Sequence, residues 1–147
     1  MARLFFQRLT VAYPDLAALV LRLGFGFMMS VNHGYIKLTH FHEWKTEFTS
    51  FMGLNGSLSL ALAIFAELGC SILLILGLFT RLTLIPLLIT MVVIFQSHNW
   101  DFLGEGELGT SFLIGYLAIL SIGPGRYSLD WLIGERLKSK KMTNRTM

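Results

Sequence analysis

Residues 56–80 read GSLSLALAIFAELGCSILLILGLFT, and this stretch decides the fold. At about 1.5 Å of rise per residue, a helix of this length crosses the roughly 30 Å hydrocarbon core of a bilayer. Its one charged residue is Glu67, near the middle. An ionised carboxylate at that depth costs about 2.5 kcal/mol or more, and such residues usually face a bundle interior and mark function. The stretch therefore predicts a transmembrane helix and indicates where chemistry occurs.

The rest of the composition also predicts a membrane protein. The 147 residues are 54% hydrophobic and only 14% charged, against about 25% charged in an ordinary soluble domain. The low content of charged residues is concentrated in four apolar stretches, which cover residues 16–36, 56–80, 82–98 and 108–122. The third contains a proline and the fourth is short. We therefore expect an all-α membrane protein, a four-transmembrane-helix bundle formed by residues 16–133.

The basic residues predict the orientation of these helices, because positive residues concentrate on the cytoplasmic side of a membrane. With the N-terminus inside, only Lys37 and Lys45 fall in external segments. Nine fall in internal segments: Arg3, Arg8, Arg81, Arg126, Arg136, Lys138, Lys140, Lys141 and Arg145. We expect both termini in the cytoplasm, with residues 1–15 and the basic tail 134–147 on that side. Topology thus explains the net charge of +3, which gives no indication of a nucleic-acid partner.

Two flanking segments are predicted to lie at the membrane surface. Large apolar residues recur every three or four positions in residues 38–52, which is typical of an amphipathic interfacial helix. After the fourth span, Pro124 and Gly125 end the helix, and Ser128 is a suitable N-cap for a second interfacial helix. We expect the tail to fray after Lys138. Residues 80–81 are expected to form a tight turn between the second and third spans.

Helical spacing predicts which residues face the bundle interior. Small and polar residues let membrane helices approach closely and hydrogen-bond to one another. They share one face on three of the spans: Arg22, Gly26, Met29, His33 and Lys37 on the first, Ser59, Ala63, Glu67, Cys70 and Leu74 on the second, and Glu107, Ser111, Gly115 and Ala118 on the fourth.

The direction of the spans predicts what surrounds Glu67. Side chains lean toward the N-terminus of their helix, so Glu67 leans outward and Arg22 leans inward. A direct pair between these two is therefore not favoured. We expect a polar pocket that opens to the external leaflet, with Glu67 as the catalytic group at its floor. The predicted ligand-binding residues around it are Arg22, His33, Lys37, Gln96, His98 and Glu107.

Alternative interpretations of these residues stay open. Glu67 could make only a structural hydrogen bond between helices, with Arg22 as its partner, and Arg22 could be an interfacial anchor. His33 and His98 with Glu67 and Glu107 have the residue types of a zinc or iron site. Their spacing is not diagnostic, so we do not expect a metal. The lone Cys70 excludes a disulfide within the chain and a CxxC redox motif.

The order of four short motifs resembles the DoxX family of small bacterial membrane proteins. The motifs are Arg22-Leu23-Gly24 with Gly34 and Lys37, then Ala66-Glu67-Leu68-Gly69 through Gly77-Leu78-Phe79-Thr80-Arg81, then Glu107, and finally Gly123-Pro124-Gly125-Arg126-Tyr127-Ser128-Leu129-Asp130. The resemblance covers about residues 16–133 and implies a four-span bundle in the bacterial inner membrane. It also implies a link to membrane subunits of thiosulfate:quinone oxidoreductases and to proteins of oxidative or quinone stress.

Together these observations predict a quinone- or lipophile-binding membrane subunit linked to redox or oxidative-stress chemistry. The residues indicate the pocket, in which Glu67 exchanges a proton while His33 and His98 bond a carbonyl oxygen. The resemblance implies the redox class. We expect a quinone as the ligand, a soluble oxidoreductase or a second copy as the partner, and the lipid bilayer around the helices. Two other functions stay open: a non-enzymatic transport or binding unit, and a membrane scaffold that holds a soluble enzyme through the basic tail.

Overall fold

The computed structural model describes residues 13–48, 50–51 and 53–143. All regular secondary structure in this part of the chain is helical, which confirms the all-α class. The helices are α1 Pro14–Thr39, α2 Phe41–Trp44, α3 Gly56–Leu76, α4 Thr80–Ser97, α5 Glu107–Ile122 and α6 Leu129–Thr143. The predicted cytoplasmic residues 1–12 and 144–147 lie outside the described part of the chain.

Three of these helices, α1, α3 and α4, are long and apolar enough to cross a membrane. The fourth apolar helix, α5, has 16 residues, or about 24 Å at 1.5 Å per residue. Large apolar side chains such as Phe27, Phe65 and Ile114 point outward and are exposed. An extensive exposed apolar surface of this kind marks contact with lipid. The chain is therefore a membrane protein with a bilayer around its helices.

The helices α1, α3, α4 and α5 pack around one shared core. α1 contacts α3 and α5, and α4 contacts the same two helices. The asparagine before α3 is its N-cap, since Asn55 Oδ1 accepts a hydrogen bond from the Leu58 N–H at 2.8 Å. The buried apolar core consists of Met29, Cys70, Leu74, Leu84, Leu87, Met91, Phe95, Phe112, Tyr116 and Ile119.

Two helices contain a π-helical segment, and the two segments contact each other. They are Ser30–Tyr35 within α1 and Phe65–Cys70 within α3. The two backbones approach closely at Gly34, where a Cβ would lie 2.6 Å from Leu68 N and 2.7 Å from Glu67 C. π-helical turns occur frequently at functional sites. This pair brings the backbone of α1 directly against Glu67.

Gly34→Ala is expected to lower the free energy of unfolding by about 2 kcal/mol or more, because the added methyl group would meet the backbone of α3. Gly24→Ala is the matched control, since Gly24 lies in the same helix and its Cβ would meet no described atom within 4 Å. The control should change stability by less than about 1 kcal/mol, in the stabilising direction. Unfolding in detergent, followed by circular dichroism, compares the two variants. Equal stability would contradict the close approach at Gly34.

The turn between α3 and α4 comes earlier than predicted. Gly77 adopts the left-handed conformation, with φ 67 and ψ 40. The N–H groups of Gly77 and Leu78 bond back to carbonyls in the last turn of α3, at 3.0 and 2.9 Å, which is a Schellman motif. The prediction of a turn at residues 80–81 was wrong, because Thr80 and Arg81 are the first residues of α4.

The flanking segments also differ in length from the prediction. The described residues between 38 and 51 do not form the single predicted helix, since α2 has one turn and is followed by turns to Glu47. His40, with φ −98 and ψ 18, separates α2 from α1. In contrast, α6 continues to Thr143, beyond Lys138, where we expected fraying. The location of both helices at membrane interfaces stays a prediction.

Asp101 organises the segment between α4 and α5. Its carboxylate accepts hydrogen bonds from the backbone N–H groups of Gly104 at 2.8 Å, Leu103 at 3.2 Å and Glu105 at 3.3 Å. These bonds, that of Gly104 first, favour the ionised form and hold the pKa of Asp101 below its usual value. The segment thus forms a defined turn that leads into α5.

Candidate functional site

The centre of the candidate site is an ion pair between Glu67 in α3 and Lys37 near the end of α1. Lys37 Nζ donates to Glu67 Oε1 at 2.7 Å and to Oε2 at 2.5 Å. The Glu67 side chain is 3% exposed and the Lys37 side chain 19%. The prediction that Glu67 faces the interior is confirmed. Its partner is the ammonium group of Lys37 and not the guanidinium group of Arg22.

The opposite directions of α1 and α3 explain why these two side chains meet. Lys37 lies near the C-terminal end of α1, and its side chain leans back along the helix into the bundle. Glu67 leans toward the start of α3, which lies beside the end of α1. Gly34 precedes Lys37 by about one turn and lets the two backbones approach. The two charges therefore lean toward each other across a close helix contact.

Buried hydroxyl groups and aromatic rings lie beside the ion pair. Ser71 and Tyr116 are fully buried. The Tyr116 hydroxyl has the Ser71 hydroxyl as its polar neighbour and lies within electrostatic range of Glu67. The two hydroxyls lie close enough to interact with each other, and within the described part of the chain neither has another hydrogen-bond partner. His33 lies within electrostatic range of both charges and packs edge-on against Phe112, with ring centroids 5.7 Å apart.

The prediction of the interior face of α5 was right for Gly115, which is buried, and wrong for Glu107 and Ser111. We expected Glu107 and Ser111 to point inward, but both are exposed. The buried residues of α5 are Gly109, Phe112, Gly115, Tyr116 and Ile119. The prediction followed small and polar residues, whereas the Phe25 ring of α1 packs over Gly115 and against Phe112 and Tyr116. The helical spacing of Phe112, Tyr116 and Ile119 was the available signal.

The structure does not bring three predicted ligand-binding residues to Glu67. Gln96 and Glu107 are exposed. His98 Nδ1 lies 3.5 Å from Glu105 Oε2, in the segment after α4. Within the described residues, no group of three or more His, Cys, Asp or Glu side chains is arranged to hold a metal ion. The geometry therefore lends no support to the alternative zinc or iron site.

Arg22 lies toward the other end of α1, in a second polar cluster. Arg22 is fully buried, and it donates from Nη2 to the Tyr127 carbonyl at 2.8 Å and from Nη1 to the Ile75 carbonyl at 3.5 Å. A cation is favoured there because the last carbonyls of a helix lack partners and carry its negative dipole end. Arg22 therefore binds the end of α3, and its predicted contact with a ligand is untested.

Asp130 completes this cluster, which we call the Arg22–Asp130 clasp and define as Arg22, Gly77, Tyr127 and Asp130. The Asp130 carboxylate accepts from the N–H groups of Phe79 at 2.7 Å and Thr80 at 2.8 Å. The Asp130 N–H donates to the Gly77 carbonyl at 2.9 Å. The clasp thus joins α1, the turn between α3 and α4, and the start of α6.

Two further predictions concern the start of α6 and the shape of the site. Ser128 is confirmed as an N-cap, because its Oγ accepts from the Trp131 N–H at 3.1 Å.

An apolar groove of about 400 Å³ lies between α1 and α3, lined by Leu23, Gly24, Phe27, Met28 and Ile75. None of the predicted site residues lines this groove, so it is separate from the ion pair.

Comparison with known proteins identifies the family. Searches of curated proteins and of solved structures give no match. The DoxX family model matches residues 17–100, which contain most of α1, all of α2 to α4 and the Lys37–Glu67 pair. The match ends before α5 and before the 123–130 segment of the clasp. Because the matched region covers more than half of the chain and includes the motifs that form the ion pair, this protein belongs to the DoxX family.

Proposed function

We propose that α1, α3, α4 and α5 cross a bacterial inner membrane as a four-span bundle with both termini in the cytoplasm. The clasp supports this arrangement because it places the turn before Arg81 and the start of α6 at the same end of the bundle. The basic residues Arg126, Arg136 and Lys138 follow in the same region, as expected for a cytoplasmic face. Lys37 and α2 then belong to the external side, and α6 to the cytoplasmic interface.

The proposed function is that of a membrane subunit that binds a quinone or a similar oxygen-bearing lipophile and exchanges a proton with it. The observation that carries this proposal is the buried Lys37–Glu67 ion pair. A buried ion pair rarely adds stability beyond that of apolar residues of similar size. Ionisable residues within membrane spans usually mark ligand or proton pathways. The pair is therefore better explained by a function than by folding alone.

Lys37 is the movable member of the pair. Its long side chain is more exposed than that of Glu67, so its ammonium group can swing toward the external surface on a flexible stem. In the proposed complex, Lys37 and His33 donate hydrogen bonds to a ligand carbonyl, and Glu67 gives or takes the proton. Reduction of a quinone to a hydroquinone consumes two electrons and two protons. A soluble oxidoreductase that associates with the membrane subunit supplies the two electrons, and Glu67 relays the two protons one after the other from water at the external surface.

Glu67→Gln is expected to weaken the binding of a short-chain quinone by at least tenfold, because it leaves Lys37 without the counter-charge that holds its ammonium group beside the ligand carbonyl. Isothermal titration calorimetry of the purified protein in detergent measures this change. Glu43→Gln is the matched control, since it makes the same change at an exposed position in α2 and should bind like the unmodified protein. Equal affinity in both variants, with both folded, would contradict the proposed function.

A further inference from the structure

We propose that the apolar groove between α1 and α3 holds an acyl chain of an anionic phospholipid, and that Arg126 binds the phosphate of its headgroup. The groove has a volume of about 400 Å³. Its lining consists of Leu23, Gly24, Phe27, Met28 and Ile75. One water molecule takes about 30 Å³ in the liquid and a methylene group has a similar size, so the groove holds about a dozen methylene groups. This site is separate from the Lys37–Glu67 pair and does not depend on the function proposed above.

Gly24 keeps the groove open. Gly26, two residues later, is required by packing within the chain, because its Cβ would lie 2.7 Å from Ile75 Cγ1. Gly24 has no such neighbour, since a Cβ there would meet no described atom within 4 Å. A glycine in the interior of a helix is less favourable than an alanine, so packing within the described chain does not explain Gly24. A larger side chain at this position would extend into the groove.

The segment that carries Arg126 lies next to the groove. Arg22 donates to the carbonyl of Ile75, which lines the groove, and also to the carbonyl of Tyr127. Arg126 is the residue before Tyr127, at about 3.8 Å between the two Cα atoms. The backbone N–H of Arg126 donates to Asp15 Oδ1 at 2.9 Å. Arg126 is therefore held at the end of the bundle where α1 begins, and its side chain is exposed there.

The distance along α1 between Arg126 and the groove matches the dimensions of a phospholipid. Leu23 follows Asp15, the partner of Arg126, by eight residues, which is about 12 Å along the helix axis. The polar headgroup region is about 5–7 Å thick on each side of a bilayer, and the long side chain of an arginine covers much of the remaining distance. A phosphate bound by Arg126 therefore places the first carbons of the acyl chain at the level of Leu23.

The guanidinium group of Arg126 is available for a phosphate. Its carbon Cζ lies 5.4 Å from the centroid of the Trp131 ring, and stacking on an aromatic face leaves the N–H groups at its edge free to bind phosphate oxygens. None of the ion pairs of the described residues involves Arg126. The basic residues Arg136 and Lys138 lie in the same region and would repel the ammonium group of a zwitterionic headgroup. The site therefore favours a lipid with a net negative charge.

Native mass spectrometry of the full chain in detergent tests the site, after delipidation and titration with phosphatidylglycerol or phosphatidylcholine that carry the same oleoyl chains. The unmodified protein should bind phosphatidylglycerol at least tenfold more tightly, the equivalent of one charge-assisted hydrogen bond. Arg126→Gln should lose this preference. Arg136→Gln is the matched control, since it makes the same change at an exposed position of α6, and it should keep the preference.

A second pair of variants tests the groove. Gly24→Leu should weaken the binding of phosphatidylglycerol about tenfold, because its side chain takes the place of part of the acyl chain. Gly134→Leu is the control, since Gly134 is also a helical glycine without a described atom within 4 Å of its Cβ position. It should bind phosphatidylglycerol like the unmodified protein. Circular dichroism establishes that each variant is folded.

Three results would overturn the inference. Equal affinity of the unmodified protein for the two lipids would show that the headgroup is not recognised. An equal loss in Arg126→Gln and Arg136→Gln would show a general attraction of anionic lipid to the basic end of the bundle. Normal binding of phosphatidylglycerol by folded Gly24→Leu would show that the acyl chain does not occupy the groove. If this variant also turns a dimer into a monomer, the occupant is a second copy of the chain.

Two further variants keep the test decisive. Met28→Trp fills the other end of the groove and should weaken phosphatidylglycerol binding in the same way if Gly24→Leu fails to fold. Glu67→Gln should bind both phospholipids like the unmodified protein, because the ion pair is separate from the groove. Loss of quinone binding in Glu67→Gln therefore leaves this inference unaffected, and loss of phospholipid binding in Arg126→Gln leaves the proposed function unaffected.

Discussion

Lys37→Met is expected to lower the free energy of unfolding by about 3–5 kcal/mol, the usual result of removing one partner from a buried ion pair. Glu67 would then be left without its counter-charge, and its side chain is almost fully enclosed. The carboxyl group would have to take up a proton to stay in the bundle. Chemical unfolding in detergent micelles measures the loss. Lys138→Met, at an exposed position of α6, is the control and should have little effect.

The two members of the pair should not be equivalent. Glu67→Gln should cost less, about 1–2 kcal/mol, because Lys37 is partly exposed and can turn its ammonium group toward water. The double variant Lys37→Met/Glu67→Gln should recover most of the stability that Lys37→Met loses, because no uncompensated charge remains. Strictly additive losses in the three variants would show that the two charges do not interact in the folded protein.

Gly77→Ala is expected to lower the free energy of unfolding by about 3 kcal/mol. The left-handed conformation of Gly77 costs about 1–2 kcal/mol with any other residue. In addition, the new Cβ would clash with Arg22 Nη1 and lie 2.6 Å from Ser128 Cβ, so the clasp would have to open. Gly53→Ala is the matched control, since Gly53 also has a positive φ, of 79, but open space around it among the described residues.

The difference in unfolding free energy between Gly77→Ala and Gly53→Ala measures the packing of the clasp, because both variants carry the same backbone strain. Thermal unfolding in detergent should show that Gly53→Ala loses only the stability that backbone strain costs, about 1–2 kcal/mol. Gly77→Ala should lose clearly more. If both variants lose the same stability, the contacts of Arg22 and Ser128 with Gly77 contribute little. The clasp would then be a weak association and not the connection that holds α1, α3 and α6 together.

The sequence predicted the helical membrane fold and the inward-facing position of Glu67, because charge and hydropathy determine both. A run of apolar residues around Glu67 predicted both a long helix and an inward-facing acid, and both are observed. The lean of side chains along antiparallel helices also placed Lys37 on the same side as Glu67. The direct pair did not follow from sequence, because it depends on the two π-helical segments and on Gly34. Neither feature has a reliable pattern in a single chain.

The α5 helix shows why the rest of the site could not be predicted. We expected small and polar residues to mark its inner face. The face that carries Phe112 and Tyr116 turns inward instead, because both rings pack against the Phe25 ring of α1. Which face turns inward depends on the shape of the neighbouring helix, which the sequence of α5 does not contain. The same limit applies to Asp130, which lies in the first turn of α6 and also accepts hydrogen bonds from the N–H groups of Phe79 and Thr80 at the start of α4.

The motifs that carry the family resemblance fall into two groups in three dimensions. Lys37, Gly34 and Glu67 form the candidate site, whereas Arg22, Gly77 and Asp130 form the clasp. Residues of α1 contribute to both groups. The first group contains the charges that the proposed chemistry needs, and the second bonds almost entirely to the backbone. Variants in the clasp should therefore change stability more than ligand affinity.

Native mass spectrometry of the protein purified from its membrane, beside Glu67→Gln and Glu43→Gln, tests the central claim most directly. The account predicts that the unmodified protein and Glu43→Gln retain an additional mass corresponding to a lipophile with carbonyl oxygens, and that Glu67→Gln has lost it. A bare polypeptide in all three samples, or the same bound mass in all three, would contradict the claim that the buried Lys37–Glu67 pair is a ligand-binding site.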